Sequence, residues 1–218
     1  MKEYEEFLEL LEAEDKQVAV GYALELIESG KMDVVGLYSD ILTPAMNQMQ
    51  CRLDEKKICI WKEHLRTAIV RTIVECCYPY VTKDFSIPEN GKMPSAVVIC
   101  PPEENHDLGA RMIADFFTVC GWRAVFIGSN TPYEDFYNAS QLIRPEIIAI
   151  SISNYYTIVE ARKIIADLKS LLGDSVKIIV GGYAVRSSSG NFETLGADYH
   201  AETFDDIKRI ADEEAKKI

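Results

Sequence analysis

From Ser95 onward, five short apolar runs recur at intervals that leave room for one helix between each pair. The runs place strands at 95–100, 123–127, 146–151 and 176–180, with a short one near 198–200. The intervening patterns predict helices at 107–120, 132–143, 156–172, 190–195 and 203–217. Ile147-Ile148-Ala149-Ile150 and Val176-Lys177-Ile178-Ile179-Val180 are apolar almost throughout rather than alternating. That is the pattern of strands covered on both faces, which belongs to parallel sheets. Strand–helix–strand units connect by right-handed crossovers, so the expectation is an α/β, doubly wound sheet of five parallel strands.

The first 80 residues read as helices only. Tyr4, Phe7, Leu8 and Leu11 share one helical face, and Val18, Tyr22 and Leu26 recur along a second helix that Gly30 would stop. Met32–Met49 carries a third pattern, with Pro44 inside it predicting a kink or break. Ile58–Tyr78 carries the longest, through Ile60, Trp61, Leu65, Ile69, Ile73 and Cys76. Short connections between amphipathic helices suggest a four-helix bundle. Pro88, Asn90-Gly91 and Pro94 mark a linker at about 83–92. The expected organisation is therefore a helical domain at 1–82 and an α/β domain at 93–218, flavodoxin-like in strand order.

Charge narrows the function classes. A net charge of −12 over 218 residues opposes a nucleic-acid surface, which needs a basic face. No apolar run approaches a membrane span, and the acidic start Met1-Lys2-Glu3-Tyr4-Glu5-Glu6 does not read as a signal sequence. The six cysteines lack Cys-x-x-Cys spacing, and adjacent Cys76-Cys77 are awkward for a disulfide, so the expectation is buried or free thiols in a cytoplasmic protein. Gly-x-Gly-x-x-Gly, the Gly-x-x-x-x-Gly-Lys-Ser/Thr phosphate cradle and the Gly-x-Ser-x-Gly elbow are missing from the sequence.

The informative chemistry lies at the end of the first strand, in Glu104-Asn105-His106-Asp107-Leu108-Gly109. A strand-to-helix turn at the carboxyl edge of a parallel sheet is where open α/β folds bind ligands. There, an imidazole can give one nitrogen to a metal while a carboxylate holds the other N–H. The glycine would let another group come close to the backbone. Alone, such a His is more often a cap or a solvated loop residue than a ligand. Two further elements follow in order: 41 residues (110–150) separate Gly109 from Ser151-Ile152-Ser153, and 27 more (154–180) precede Gly181-Gly182.

These three co-linear elements resemble the cobalamin-binding domain shared by methionine synthase, cobalamin-dependent mutases, corrinoid methyl carriers and cobalamin-dependent light sensors. The family pattern is Asp-x-His-x-x-Gly, Ser-x-Leu and Gly-Gly at about these intervals. The resemblance covers 93–218 well and the helical region more loosely. It implies cobalamin bound base-off, with its nucleotide tail detached and buried beside the sheet. His106 would be the lower cobalt ligand, and Glu104, in the family's Asp position, would hold the other imidazole nitrogen. Glu is one methylene longer than Asp, so this contact could shift or run through water. Asp107, Leu108 and Gly109 complete the first element. Ser151, Gly181 and Gly182 would line the tail slot, Ser153 departs from the family Leu, and Thr157 would supply a supporting hydroxyl. The bland reading of Ser151, Ser153 and Thr157 is a strand end and a helix cap. Tyr155 could pack on the ligand or simply on the protein. The family's helical cap covers the other corrin face, where Glu63-His64 resembles a pair found in the light sensors. Leu53, however, stands where those sensors carry a Trp, and the bland alternative is a solvated helical turn with Trp61 in the core. His200 reads as a surface residue at a strand end.

Two function classes follow from the resemblance. One is a methyl carrier serving partner methyltransferases, with no substrate-converting site of its own. The other is a cobalamin-dependent sensor or regulatory module that signals through a partner protein. Storage, or a degenerate domain binding something else, stands behind both, and self-association is open.

Overall fold

The computed structural model describes residues 1–48, 58–87, 93–187 and 192–218. The chain divides into two compact units, Met1–Lys83 and Asp84–Ile218. Met49, Leu53, residues 88–92 of the expected linker and residues 190–191 of an expected helix lie outside the described residues.

In the first unit, Asp15 separates α1 (Lys2–Glu12) from α2 (Lys16–Glu28) and caps α2 by accepting the Val18 N–H at 3.2 Å. α3 spans 34–47 in three segments, Val34–Gly36, a π-helical Leu37–Leu42 and Thr43–Asn47. The break expected at Pro44 takes this form. The proline sits in the first turn of the last segment, where its missing N–H costs least, and the wider π turn directly precedes it. α4 (Cys59–Val81) is the longest helix, and the four helices pack on one another in every pairing. Phe7, Leu11, Leu26, Leu37, Ile41, Ile69 and Ile73 fill the core between them.

Three expectations for this unit are corrected. The buried face of α2 is Ala19, Ala23 and Leu26, while Val18 is exposed. The alanines let helix backbones approach closely, and Tyr22 donates its hydroxyl to Glu6 Oε2 at 2.7 Å instead of entering the core. Trp61 is 72% exposed rather than buried. Cys59 is disulfide-bonded, whereas Cys76, Cys77, Cys100 and Cys120 are thiols outside any disulfide. Cys76 and Cys77 cannot pair because successive helical residues point apart, one outward and one into the core.

In the second unit the strands are β1 (Ser95–Ile99), β2 (Arg123–Gly128), β3 (Ile147–Ser151), β4 (Lys177–Gly181) and β5 (Tyr199–His200). They form one parallel sheet in the order β2-β1-β3-β4-β5. The helices are α5 (Leu108–Val119), α6 (Tyr133–Ile143), α7 (Ile158–Leu172), a short α8 (Tyr183–Ser187) and α9 (Phe204–Ala215). Val97, Ile99, Ile148, Ile150, Ile178 and Val180 pack with Phe136 of α6 and Ile164, Ile165 and Leu168 of α7. Alternate residues Ala96, Val98, Ala149 and Ile179 point to the other face and are buried as well. α5 lies against β1 and β2, and α9 against α5, with Phe116 and Phe204 in edge contact at 5.1 Å. Burial on both faces is why the strands lack polar alternation. The 190–195 helix is only a 3₁₀ turn, Phe192–Leu195. No described helix is long and apolar enough to cross a membrane.

Candidate functional site

β1 and β3 are neighbours in the sheet although β2 lies between them in sequence. Their connections therefore leave toward opposite faces, and the carboxyl ends of two such strands are where open α/β sheets hold ligands. Both loops at this switch point carry the residues singled out by motif.

Glu104 is the centre of the arrangement. It is fully buried, and all its recorded partners are donors. Its Oε1 accepts the His106 backbone N–H at 3.0 Å and meets His106 Nδ1 at 2.7 Å. Its Oε2 accepts the backbone N–H groups of Ser153 at 2.9 Å and Asn154 at 2.6 Å, with the Thr157 hydroxyl at 3.4 Å. Burial by itself would raise the Glu104 pKa. The hydrogen bonds from the His106 and Asn154 backbones, the His106 ring and the Ser153 backbone outweigh it and hold the carboxyl below its usual value. An ionised carboxylate can only accept, so His106 Nδ1 donates in this contact, and the neutral tautomer it selects is the one with its lone pair on Nε2. The His106 side chain is 61% exposed, which leaves Nε2 accessible. The extra methylene of Glu therefore neither displaces the contact nor routes it through water, because the carboxylate reaches the ring directly.

The remaining motif residues gather at the same sheet edge. Asp107 and Leu108 lead into α5, Leu108 buried in the unit. Gly109 is exposed with an ordinary helical backbone, and a Cβ there would meet nothing within 4 Å. The fold does not need that glycine, so its open surface is available to a ligand beside His106. Ser151 ends β3 opposite Gly181 of β4. Both glycines of the pair are also required by the protein itself. A Cβ at Gly181 would run into the Ala201 carbonyl oxygen, and one at Gly182, where φ is +102°, would lie 2.5 Å from the Ile152 oxygen. Tyr155 is half exposed and in edge contact with Tyr183 at 6.2 Å. Thr157 is buried and donates to the Asn154 carbonyl at 2.8 Å. Burial beside Glu104 and Asp107 pushes the Cys100 thiol up to about 12, so it stays protonated and inert. His200 lies on β5, its Nε2 3.5 Å from Glu202. Glu63 and His64 are exposed on α4 of the first unit.

Two participants carried no motif. Asn154 contributes only its backbone N–H to Glu104, and its side chain accepts the Tyr156 N–H at 3.0 Å. Asn130, beyond β2, touches the loop on either side of Glu104. An Asn within three residues of a strand end was the only available sequence signal for either one.

The donor set suits a macrocycle-bound metal. Among the described residues no group of three or more His, Cys, Asp or Glu side chains could hold an ion unaided. A single exposed imidazole would fit a metal whose other ligands a cofactor brings with it.

A family model described as the B12 binding domain matches residues 94–212. The chain belongs to the B12-binding domain family. Its cofactor is accordingly cobalamin. Relatives of this B12-binding protein include trimethylamine corrinoid protein 1 of Methanosarcina acetivorans, 24% identical over 88% of each chain. The HTH-type transcriptional repressor CarA of Myxococcus xanthus is 27% identical over 82% of this chain, which spans 58% of the repressor's length. In fold, the chain matches the monomethylamine corrinoid protein of Methanosarcina barkeri with a TM-score of 0.81, at 16% identity over 97% of this chain and 98% of that one.

Proposed function

We propose that this protein is a corrinoid methyl carrier that serves partner methyltransferases and holds cobalamin base-off, with His106 as the lower cobalt ligand. The observation that carries the reading is the Glu104–His106 pair, in which a buried, ionised carboxylate holds Nδ1 and leaves an exposed Nε2 with its lone pair. When bound, the corrinoid supplies a cobalt able to take up and release a methyl group. The chain's own part is to bind and orient. Glu104 fixes the imidazole tautomer, Ser153, Asn154 and Thr157 hold Glu104, and the open surface at Gly109 admits the ring. We assign Ser151, Gly181 and Gly182 to the nucleotide tail, and Asp107, Leu108 and Tyr155 to the cofactor's surroundings. Similarity over 88% of both chains to a trimethylamine corrinoid protein supports the carrier reading.

A second reading, a cobalamin-dependent sensor, is favoured by the similarity to a transcriptional repressor and by the exposed Glu63-His64 pair. Both readings assign Glu63 and His64 to the upper-ligand side. The test is a spectroscopic titration with hydroxo-, methyl- and adenosylcobalamin, in darkness and after illumination. A carrier binds all three with a nitrogen-ligated spectrum that His106→Ala abolishes, and its assembly does not respond to light. Selective adenosylcobalamin binding with a light-driven change in oligomer size would replace the carrier by the sensor. An unchanged spectrum in His106→Ala removes the axial assignment, and unchanged alkyl-cobalamin binding in His64→Ala removes the upper-side one.

A further inference from the structure

We infer that Asn130 is a positioning residue for the axial-ligand loop: its side-chain amide holds Glu103 in a left-handed conformation and so sets where His106 is presented. The inference rests on the reading of His106 as the cobalt ligand.

Glu103 has φ +64°, a region that non-glycine residues enter only when their surroundings hold them there. Its backbone N–H donates to Asn130 Oδ1 at 3.0 Å. The Nδ2 of the same amide donates to Asn105 Oδ1 at 3.0 Å. One planar group therefore grips the residue before Glu104 and the residue after it. The grip needs one acceptor and one donor on a short side chain, which an amide supplies and a carboxylate does not. The turn is closed from within by the Glu104 N–H, 3.1 Å from the Pro101 carbonyl.

The end of β2 is shaped to bring Asn130 to this place. The β1–β2 register shifts between Val98 and Ile99, so Ile99 pairs with Gly128 rather than with Ile127. Such irregularities redirect a strand end and often lie beside functional sites. Gly128 has φ +105° and Asn130 has φ +58°, so the chain turns sharply twice as it leaves the sheet. Asn tolerates the left-handed region better than most side chains. The β2 loop is thereby coupled to a carboxylate that itself bridges the β1 and β3 loops. The β1 and β3 loops meet on Glu104, and the β2 loop holds the residues on either side of it.

A turn-forming role alone would also place Asn at 130, and Asn130→Gly separates the two roles. Glycine keeps the left-handed backbone but removes both side-chain hydrogen bonds. The full chain is reconstituted with hydroxocobalamin, reduced to the Co(II) form, and read by electron paramagnetic resonance, where one axial nitrogen splits the cobalt lines into triplets. Amide exchange over residues 103–106 is followed in the cobalamin-free protein. Wild type is expected to show the triplets and His106→Ala to lose them. Asn130→Gly is expected to show a mixed signal, with exchange about tenfold faster at Glu103. Adding Glu103→Gly to Asn130→Gly should restore part of the triplet, because glycine adopts the left-handed turn unaided. Wild-type triplets and wild-type exchange in Asn130→Gly, with His106→Ala still distinct, would overturn the inference alone. Identical signals from wild type and His106→Ala would overturn the ligand reading, and the inference with it.

Discussion

In a Glu104→Gln variant, one carboxylate oxygen becomes an NH₂ group in a site where all the recorded neighbours are donors. Oε1 faces the backbone and ring nitrogens of His106, and Oε2 faces Ser153, Asn154 and Thr157. The less costly orientation points the NH₂ at His106, because the ring can move its proton to Nε2 and accept at Nδ1. The His106 backbone N–H then loses its partner, and the bonds on the other side lose their charge. Hydrogen bonds to charged groups contribute roughly 1.5–3 kcal/mol, and a stranded buried donor costs about 1–3 kcal/mol. A loss of about 3 kcal/mol is therefore expected for the cobalamin-free α/β unit. The chemical consequence is separate: a proton on Nε2 leaves no lone pair for cobalt, so the nitrogen-ligated spectrum should disappear. Glu104→Asp matches the family pattern, yet shortens the reach by about 1.5 Å, one C–C bond. A carboxylate drawn back that far cannot serve His106 and the Ser153–Asn154 backbone together, so Asp should keep the tautomer while losing part of the stability. The assays are urea denaturation of the cobalamin-free chain and the visible spectrum after reconstitution. A Gln variant within about 0.5 kcal/mol of wild type, the spread of ordinary surface changes, and still nitrogen-ligated would refute the reasoning.

Three further outcomes are expected. The folded-state pKa of Glu104 is depressed below its ordinary 4.5, so its ionised form stabilises the fold above pH 4.5, and that contribution is lost as pH falls through the folded value. The stability gap between wild type and Glu104→Gln should be complete at about pH 7 and narrow below pH 4.5; a gap still constant at about pH 3 would show that Glu104 is not held ionised. Gly182→Ala should destabilise the cobalamin-free protein by at least about 2 kcal/mol through a left-handed backbone and the Ile152 carbonyl. Gly109→Ala should leave that stability intact or raise it by up to about 1 kcal/mol, while weakening hydroxocobalamin binding. Wild-type cobalamin binding by Gly109→Ala would remove Gly109 from the site.

The sheet was legible because β1, β3 and β4 are buried on both faces, which writes uninterrupted Val and Ile runs into the sequence. The α2 interface was not, because it is made by Ala19 and Ala23, whose small size is the point of the contact but whose apolar signal is weaker than that of Val18. Nor does any residue pattern announce the π segment at 37–42. The same division runs through the site. Glu104, His106 and Thr157 were found because their side chains carry the chemistry. Ser153 was marked as a departure in side chain, yet what it gives Glu104 is a backbone N–H, as Asn154 does. Backbone donors are indifferent to the side chain above them, so replacing Leu by Ser at 153 need not disturb this contact. They are not indifferent to the length of the acceptor. The Glu at 104 is thus matched to a loop whose turn is held by Asn130, 27 residues from Glu103. The departure from Asp and the contact with the β2 loop are parts of one geometry, which is why restoring the family residue at 104 alone should cost stability rather than add it.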